Sequence, residues 1–386
     1  MKIFEKLGLT ESEIKIVKKV IIFSTIITFS IMTGFWIFQN LRSKQKTTKA
    51  ATFTQDLTKV TELDIDANFE IGLRCMQSND CERALPHLKR AVALRKNDPV
   101  MRSLLADAYL ETGEYEFAID EYEHLLKYPL PDSLSSRICA RMAICQFYNK
   151  EKTASLEALK RCTEQFPSNA EGFCFLGQIE ASQELPSDAA IKNLNKAIAL
   201  DSNYVEAWYQ LARYYMETKE YARARVLLLR AIEINPLHEK SQSRLGMAYY
   251  YLNNFDLATK AYQTALAINP ADFNTRYNLG EVYYAVGDTA HAMKEFNKTL
   301  ECNPGHTEAN FKQGLLLLAN NMIKEAIIHF EQAAHSGGYN SRILIQLAVA
   351  YEKLGNREKA LSMYHSILET DALNVIALQK IKLLSE

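Results

Sequence analysis

The stretch that decides the fold runs from Trp208 to Pro236 and reads WYQLARYYMETKEYARARVLLLRAIEINP. Two small residues, Ala212 and Ala224, stand twelve positions apart, and the large apolar Leu228 follows four positions later, one turn along the same helical face. Small residues placed in this way allow two helices to cross closely. The stretch therefore predicts a pair of amphipathic helices packed against each other.

The same pattern recurs along most of the chain. The small residue returns at Gly72, Ala106, Ala143, Gly177, Ala212, Gly246, Gly280, Gly314 and Ala348, with spacings of 34 to 37 residues. Nine such units cover residues 65–374, and residues 375–386 look like one more first helix that caps the array. Because a single helix pair cannot bury its apolar face, the nine units are expected to stack on one another.

The unit that begins at Trp208 resembles the tetratricopeptide repeat family. The residues that fill the signature slots of that family are Trp208, Leu211, Ala212, Tyr215, Tyr221, Ala224, Leu228, Ala231 and Pro236. The resemblance implies an all-α fold, a right-handed α-solenoid of about nine antiparallel helix pairs with a concave groove. In this family the residues that line the groove come from the first helix of each unit.

The resemblance therefore assigns a set of partner-binding residues to the groove. They are Tyr209, Arg213, Met216, Met247, Tyr250, Tyr251, Tyr277, Glu281, Tyr284 and Phe311. The set is rich in aromatic and apolar side chains, as expected where a peptide docks by side-chain packing. The alternative for any single tyrosine in the set is that it completes the packing between repeats.

A membrane anchor is predicted ahead of the repeats. Residues 20–38 are nineteen uncharged residues, which span about 29 Å as a helix, enough to cross a bilayer once. Residues 1–19 form a short tail, and residues 39–64 form a polar stalk rich in threonine and lysine. Four basic residues lie near each end of the span, so charge does not decide on which side of the membrane the repeats lie.

Composition and motifs argue against catalysis. The chain has 386 residues, of which 45 are Lys or Arg and 46 are Asp or Glu, so no basic excess points to nucleic acid. HExxH, GxSxG, GxxxxGK and GxGxxG motifs are absent from the sequence, and the eight histidines are scattered. We therefore expect no enzyme activity, no metal site and no cofactor.

The seven cysteines leave two interpretations open. Cys75 and Cys81 occupy facing slots in the first unit, and Cys139 and Cys162 do so in the third, so either pair could form a disulfide. The interpretation that we favour is that these cysteines are small apolar core residues. Unpaired cysteines elsewhere favour a reducing, cytoplasmic location for the repeats.

The sequence thus predicts a single-pass membrane scaffold or adaptor that binds a protein or peptide partner in its groove. One alternative is an assembly factor for pili, cytochromes, the outer membrane or lipopolysaccharide; another is a thiol-based redox sensor. A subclass of the family captures the carboxylate of chaperone tails with lysines and asparagines. The matching slots here hold Tyr209, Arg213, Arg244, Asn274 and Asn278, which disfavours that activity.

Overall fold

The computed structural model describes residues 62–78, 80–182 and 187–385. The predicted tail, membrane span and nearly all of the stalk, residues 1–61, lie outside this part of the chain. Within the described residues, no helix combines the length and the apolar character needed to cross a bilayer.

The described residues form nineteen α-helices and no strand. In chain order they are α1 (Glu62–Gln77), α2 (Cys81–Leu94), α3 (Pro99–Glu111), α4 (Tyr115–Leu125), α5 (Asp132–Tyr148), α6 (Lys152–Gln165), α7 (Ala170–Ala181), α8 (Asp188–Leu200), α9 (Val205–Glu217), α10 (Tyr221–Ile234), α11 (Glu239–Tyr251), α12 (Phe255–Ile268), α13 (Phe273–Ala285), α14 (Thr289–Cys302), α15 (Thr307–Ala319), α16 (Ile323–Gly337), α17 (Ser341–Lys353), α18 (Arg357–Thr370) and α19 (Val375–Ser385). The nine predicted helix pairs are therefore present, followed by one single helix.

The close crossing predicted within each pair is confirmed by the surroundings of its glycines. A Cβ atom added at Gly280 would lie 2.6 Å from the ring of Phe296, and one added at Gly246 would lie 2.7 Å from the ring of Tyr262. The Phe296 side chain is fully buried. The small residue of the first helix and the large residue of the second are thus direct neighbours, which explains why both recur with the repeat.

Among the described residues, a left-handed residue follows the first helix in seven of the pairs. Positive φ angles occur at Gly113, Lys150, Lys219, Asn253, Gly287, Asn321 and Gly355, each seven positions after the small residue of its unit. An added Cβ at Gly287 or Gly355 would meet nothing within 4 Å, so the backbone angle alone favours glycine there.

The helices belong to two compact units. The first, up to Leu130, contains α1 to α4, and the second, from Pro131, contains α5 to α19. The repeat pattern by itself predicts one uninterrupted array, but its widest spacing, from Ala106 to Ala143, spans this boundary. In the second unit α19 packs through Ala377, Ile381 and Leu384, as expected of a terminal helix.

Candidate protein-binding face

The ten predicted groove residues all lie on four first helices of the second unit, α9, α11, α13 and α15. We call the surface of these helices and of α17 the first-helix face. Three of the ten side chains, Tyr209, Met216 and Phe311, are only 5 to 8% exposed and belong to the core. They pack between repeats, the alternative that the sequence left open, and expose little surface to a partner.

The most exposed aromatic side chain of the predicted set lies at the end of α11. Tyr251 is 52% exposed, and its ring stacks on that of Tyr221 with centroids 4.5 Å apart and an interplanar angle of 10°. Tyr250 meets Tyr251 edge-on at 5.5 Å and Phe255 at 5.8 Å. Tyr221 and Phe255 begin the second helices α10 and α12, and sequence reasoning left them out of the binding set.

Tyr277 on α13 is held from two sides. Its ring lies 4.9 Å from the imidazole of His306 and 5.6 Å from the ring of Phe296. Burial, followed by the nearby carboxylates of Glu281 and Glu308, raises the pKa of Tyr277 well above its usual value. The phenol therefore remains protonated and able to donate a hydrogen bond at any physiological pH.

Ion pairs join α13, α15 and α17 across the face. Lys312 Nζ lies 2.8 Å from Glu281 Oε2 and also 4.4 Å from the ring centroid of Tyr284. Arg342 Nη2 lies 2.7 Å from Glu308 Oε2, and its guanidinium lies 4.0 Å from the ring centroid of Phe311. Each cation thus contacts a carboxylate and an aromatic ring of the preceding first helix. We call α13, α15 and α17 the paired stretch.

Arg213 on α9 and Arg244 on α11 instead contact residues of their own helices. Arg213 Nε lies 3.5 Å from Glu217 Oε1 on its own helix, and Arg244 Nη1 lies 3.7 Å from Met247 Sδ, also on its own helix. Within the described residues, Arg244 makes no ion pair. We call α9 and α11 the open stretch, because no ion pair joins its two helices within that part of the chain.

A second regular feature links the two helices inside four of the pairs. The contacts are Asn68–His87 at 2.9 Å, Arg102–Glu121, Arg276–Glu295 at 3.2 Å and Asn310–His329 at 2.9 Å, and in each the two residues are 19 positions apart. Trp208 occupies the equivalent slot of its own unit. His87 and His329 therefore link the two helices of their pairs, and the constant separation of 19 could have revealed the contacts.

Two of the cysteines are joined to each other. A disulfide joins Cys139 to Cys162, with Cα atoms 5.9 Å apart, whereas Cys75 and Cys81 are free. The favoured interpretation of core thiols thus fails for Cys139 and Cys162, because the facing slots of α5 and α6 bring their Cα atoms to disulfide distance.

Two clefts of the described residues lie away from the predicted groove residues. Among the described residues, no cluster of His, Cys, Asp and Glu has the geometry to hold a metal ion. One cleft of about 540 Å³ lies where α5 and α7 begin, and another of about 380 Å³ lies between α16, α17 and α18. None of the ten predicted residues lines either cleft.

These features define an all-α repeat array in the described residues. Models described as tetratricopeptide repeat match residues 76–141 and 187–244, 273–306 and 343–374, and one described as TPR repeat matches residues 246–287. Together the matches cover more than half of the chain. The chain belongs to the tetratricopeptide repeat family.

Individual relatives are more distant. Anaphase-promoting complex subunit 3 of Schizosaccharomyces pombe is 25% identical over 194 residues, which are 50% of this chain and 26% of that protein, so the match spans about a quarter of the relative. The crystal structure of the APC/C hetero-tetramer Cut9-Hcn1 is similar with a TM-score of 0.56 and 17% identity, covering 87% of this chain and 67% of that one. It supports the fold alone.

A shorter solved structure is similar over about half of the chain. The crystal structure of YrrB, described as a TPR protein with an unusual peptide-binding site, is 23% identical. It covers 49% of this chain and 97% of its own, with a TM-score of 0.42.

Proposed function

We propose that this chain is a non-enzymatic scaffold that binds a protein or peptide partner on the first-helix face. The observation that carries the proposal is the group of tyrosines on α11 and α13, where Tyr251 and Tyr284 are exposed and Tyr250 and Tyr277 are half-buried. Aromatic side chains of this kind dominate the binding energy of many protein interfaces, because they bury large areas at a small cost in conformational entropy.

Rigid support from below strengthens the proposal. The buried Tyr209, Met216 and Phe311 fix the first helices against one another, so the exposed rings are held in place before a partner arrives. Such preorganisation lowers the entropy cost of binding. The packing role of these three residues therefore assists recognition although their own surfaces are covered.

Alanine substitution of three tyrosines tests the proposal. Replacing Tyr250, Tyr277 and Tyr284 together by alanine should abolish co-purification of the partner while helicity, measured by circular dichroism, is kept. The matched control is Tyr339→Ala, which removes a ring that is 62% exposed and lies outside the first-helix face. Undiminished partner recovery by the triple variant would refute the assignment of the face.

We further propose that residues 20–38 anchor the scaffold in a membrane, with the repeats on the cytoplasmic side. The support for the anchor is the uncharged nineteen-residue run. The support for the cytoplasmic side is that Cys174 and Cys302 are free. An anchor raises the local concentration of whatever the face holds, so modest affinity becomes sufficient at the membrane.

Membrane extraction and thiol labelling test these two statements separately. An anchored chain stays in the membrane pellet after alkaline carbonate treatment, and release into the supernatant would contradict the anchor. A cysteine at Thr54→Cys in a cysteine-depleted background should react with an impermeant maleimide only after permeabilisation. Labelling of intact cells would place the repeats on the other side.

A thiol sensor is the second candidate, and the disulfide between Cys139 and Cys162 is the observation that favours it. In that function, reduction would free α5 from α6 and change the packing of the third pair. Mass spectrometry of the alkylated native protein distinguishes the candidates. Seven alkylated thiols under oxidising conditions would eliminate the sensor and leave the scaffold unaffected.

A further inference from the structure

The Asn169 side chain, which caps α7, contacts three helices. Its Oδ1 accepts the backbone N–H of Gly172 on α7 at 2.9 Å, and its Nδ2 donates to the carbonyl oxygen of Ser136 on α5 at 2.8 Å. The same Nδ2 lies 3.7 Å from the Sγ of Cys162 on α6, which belongs to the disulfide. Asn169 is only 6% exposed, so its polar atoms depend on these contacts rather than on bulk water.

A second asparagine occupies the same slot of another repeat and provides a comparison. Asn340 and Asn169 each stand eight positions before the small residue of their units. The Oδ1 of Asn340 accepts the backbone N–H of Ile343 at 3.1 Å and so caps α17. The residue seven positions earlier is Cys162 before Asn169 and Ala333 before Asn340. The chain thus contains one asparagine cap preceded by a disulfide cysteine and one preceded by alanine.

Cys139 is the half of the disulfide that a reductant can reach, because it is partly exposed whereas Cys162 is fully buried. The thiolate of a dithiol reductant attacks Cys139 Sγ, forms a mixed disulfide and releases Cys162 as a thiolate. The second thiol of the reductant then displaces Cys139. The chain thereby gains two electrons and two protons as two thiols, and the reductant leaves as a disulfide. In the cytoplasm, where we propose that the repeats lie, such disulfides are typically transient or redox-sensing.

We propose that Asn169 couples the redox state of Cys139 and Cys162 to the start of α7 and to the adjoining cleft of about 540 Å³. The inference rests on the second candidate function, the thiol sensor, and identifies the part of the chain that responds to reduction. We call this coupling the Asn169 link.

The disulfide holds the amide of Asn169 against the carbonyl of Ser136. Ser136 lies one turn before Cys139 on α5, so the covalent bond keeps the carbonyl and the amide at a high effective concentration. Reduction removes this constraint and gives Cys162 an S–H group 3.8 Å from the same carbonyl oxygen, where the thiol competes as a donor. Because the amide group is planar and rigid, an Nδ2 that turns away from Ser136 also carries Oδ1 away from Gly172.

The cleft is affected because the same hydrogen bond joins two of its walls. Ser136 on α5 and Asn169 at the start of α7 both line the cleft. The Nε of Arg141 lies 3.1 Å from the Oε1 of Glu171, and this ion pair joins the same two helices. When the hydrogen bond is lost, the ion pair remains. Reduction therefore widens the cleft and loosens the first turn of α7 while the helix stays docked.

Hydrogen–deuterium exchange of the full chain tests the link, with a non-ionic detergent present because of the apolar run 20–38. The oxidised chain, in which mass spectrometry first verifies the disulfide, is compared with the chain reduced by dithiothreitol. The amides of Gly172 and Phe173 in the first turn of α7 should exchange about ten-fold faster after reduction, as expected when an N-cap is lost. The amides of Ile343 and Leu344 in the first turn of α17 are the internal reference and should keep their rates.

The decisive variant is Asn169→Ser, which keeps a capping oxygen but is too short to reach the carbonyl of Ser136. In this variant the first turn of α7 should exchange at the same rate in both redox states. Asn340→Ser makes the same change at the matched cap and should leave the response of α7 intact. Cys162→Ala should abolish the response, which assigns it to this disulfide. If the serine variant melts below the wild type, Asn169→Asp repeats the test, because it also offers a capping oxygen without the N–H donors.

The outcomes separate the Asn169 link from the thiol sensor. Faster exchange at the start of α7 that is lost in Asn169→Ser and kept in Asn340→Ser supports the link. A response confined to α5 and α6, or one that survives Asn169→Ser, overturns the link and leaves the sensor standing. Absence of the disulfide from the oxidised chain overturns both, and so does an exchange pattern that reduction leaves unchanged throughout. The scaffold is tested independently, by recovery of the partner.

Discussion

The open and paired stretches of the first-helix face have cores of the same kind and differ in their surface charges. Beneath both, a glycine of the first helix meets a ring of the second, Gly246 with Tyr262 and Gly280 with Phe296. On the surface, an ion pair between Glu281 and Lys312 joins two helices of the paired stretch. In the open stretch, Arg213 and Arg244 each contact a residue of their own helix. The repeat fold fixes the positions of the side chains. The residue types at those positions decide whether ion pairs form between neighbouring first helices.

The largest effect is expected where the stretches are alike. Gly246→Leu and Gly280→Leu should each lower the free energy of unfolding by about 3 kcal/mol or more, because even one added Cβ would approach a buried ring to within 2.7 Å. Urea denaturation measures the loss. Ala285→Leu, at an exposed position of α13, is the control and should change it by less than about 0.5 kcal/mol. Tolerance of either glycine substitution would show that the two cores differ.

Breaking the ion pair of the paired stretch should have a smaller, asymmetric effect. Glu281→Ala leaves the half-buried Lys312 without a carboxylate and should cost about 1 to 2 kcal/mol, since that side chain is only 17% exposed. Arg213→Ala in the open stretch should cost no more than about 0.5 kcal/mol, because its pair with Glu217 spans 3.5 Å and Glu217 is 42% exposed. Chemical denaturation of both variants, with Lys312→Ala completing a double-mutant cycle, measures the difference. Equal losses would contradict the distinction between the stretches.

Acid should lower the stability of both stretches through the histidines that precede α11 and α15. Burial lowers the pKa of His238 and of His306, with Glu206 and Glu308 respectively opposing the shift and Lys240 adding to it at His238. His306 Nδ1 accepts the backbone N–H of Ala309 at 3.1 Å, so its protonation also removes the cap of α15.

Because these folded-state pKa values lie below the value of about 6.5 in the unfolded chain, their stabilisation is present above that pH. It is lost as the pH falls from there through the folded-state values. Thermal melting should therefore shift to lower temperature between pH 7 and pH 5, and His306→Asn, which keeps a capping side chain, should reduce the shift. If the melting temperature of this variant falls between pH 7 and pH 5 by as much as that of the wild type, His306 does not contribute to the pH dependence.

The smallest effect is expected at the second ion pair of the paired stretch. Arg342 and Glu308 are 54% and 45% exposed, so their pair should contribute no more than about 0.5 kcal/mol, and salt should screen it. Denaturation of Arg342→Met at low and high ionic strength measures both quantities. If Arg342→Met lowers the free energy of unfolding as much as Glu281→Ala does, solvent exposure does not explain the relative strengths of the two ion pairs.

Much of the fold was predictable because its determinants recur. The 34-residue spacing of Gly246, Gly280 and Gly314 indicates the helix pairs, since a close crossing requires a small residue at that slot in each repeat. The boundary after Leu130 was not predicted, because it depends on packing between repeats that no single unit displays. The Cys139–Cys162 disulfide is only one of two interpretations at the level of sequence, since facing slots alone do not fix a sulfur–sulfur distance.

The candidate face was predictable only in outline. The slots of the family located Tyr250, Tyr251 and Tyr284 on first helices, but slot position could not distinguish these from the buried Tyr209. Burial depends on the side chains of the neighbouring repeat. The structure was needed to distinguish the open stretch from the paired stretch, because the distinction rests on the contacts of Arg244 and Lys312. The partner of Lys312, Glu281, lies 31 positions away in the sequence.

The central claim is that a partner binds the first-helix face at the tyrosines of α11 and α13. The most direct test is site-specific photocrosslinking from Tyr251 and from Ala319, two exposed residues that occupy the same slot of their repeats on α11 and α15. The account predicts that a photoreactive phenylalanine at position 251 captures the partner and that one at position 319 does not. Equal capture from both positions, or capture from position 319 alone, would contradict it.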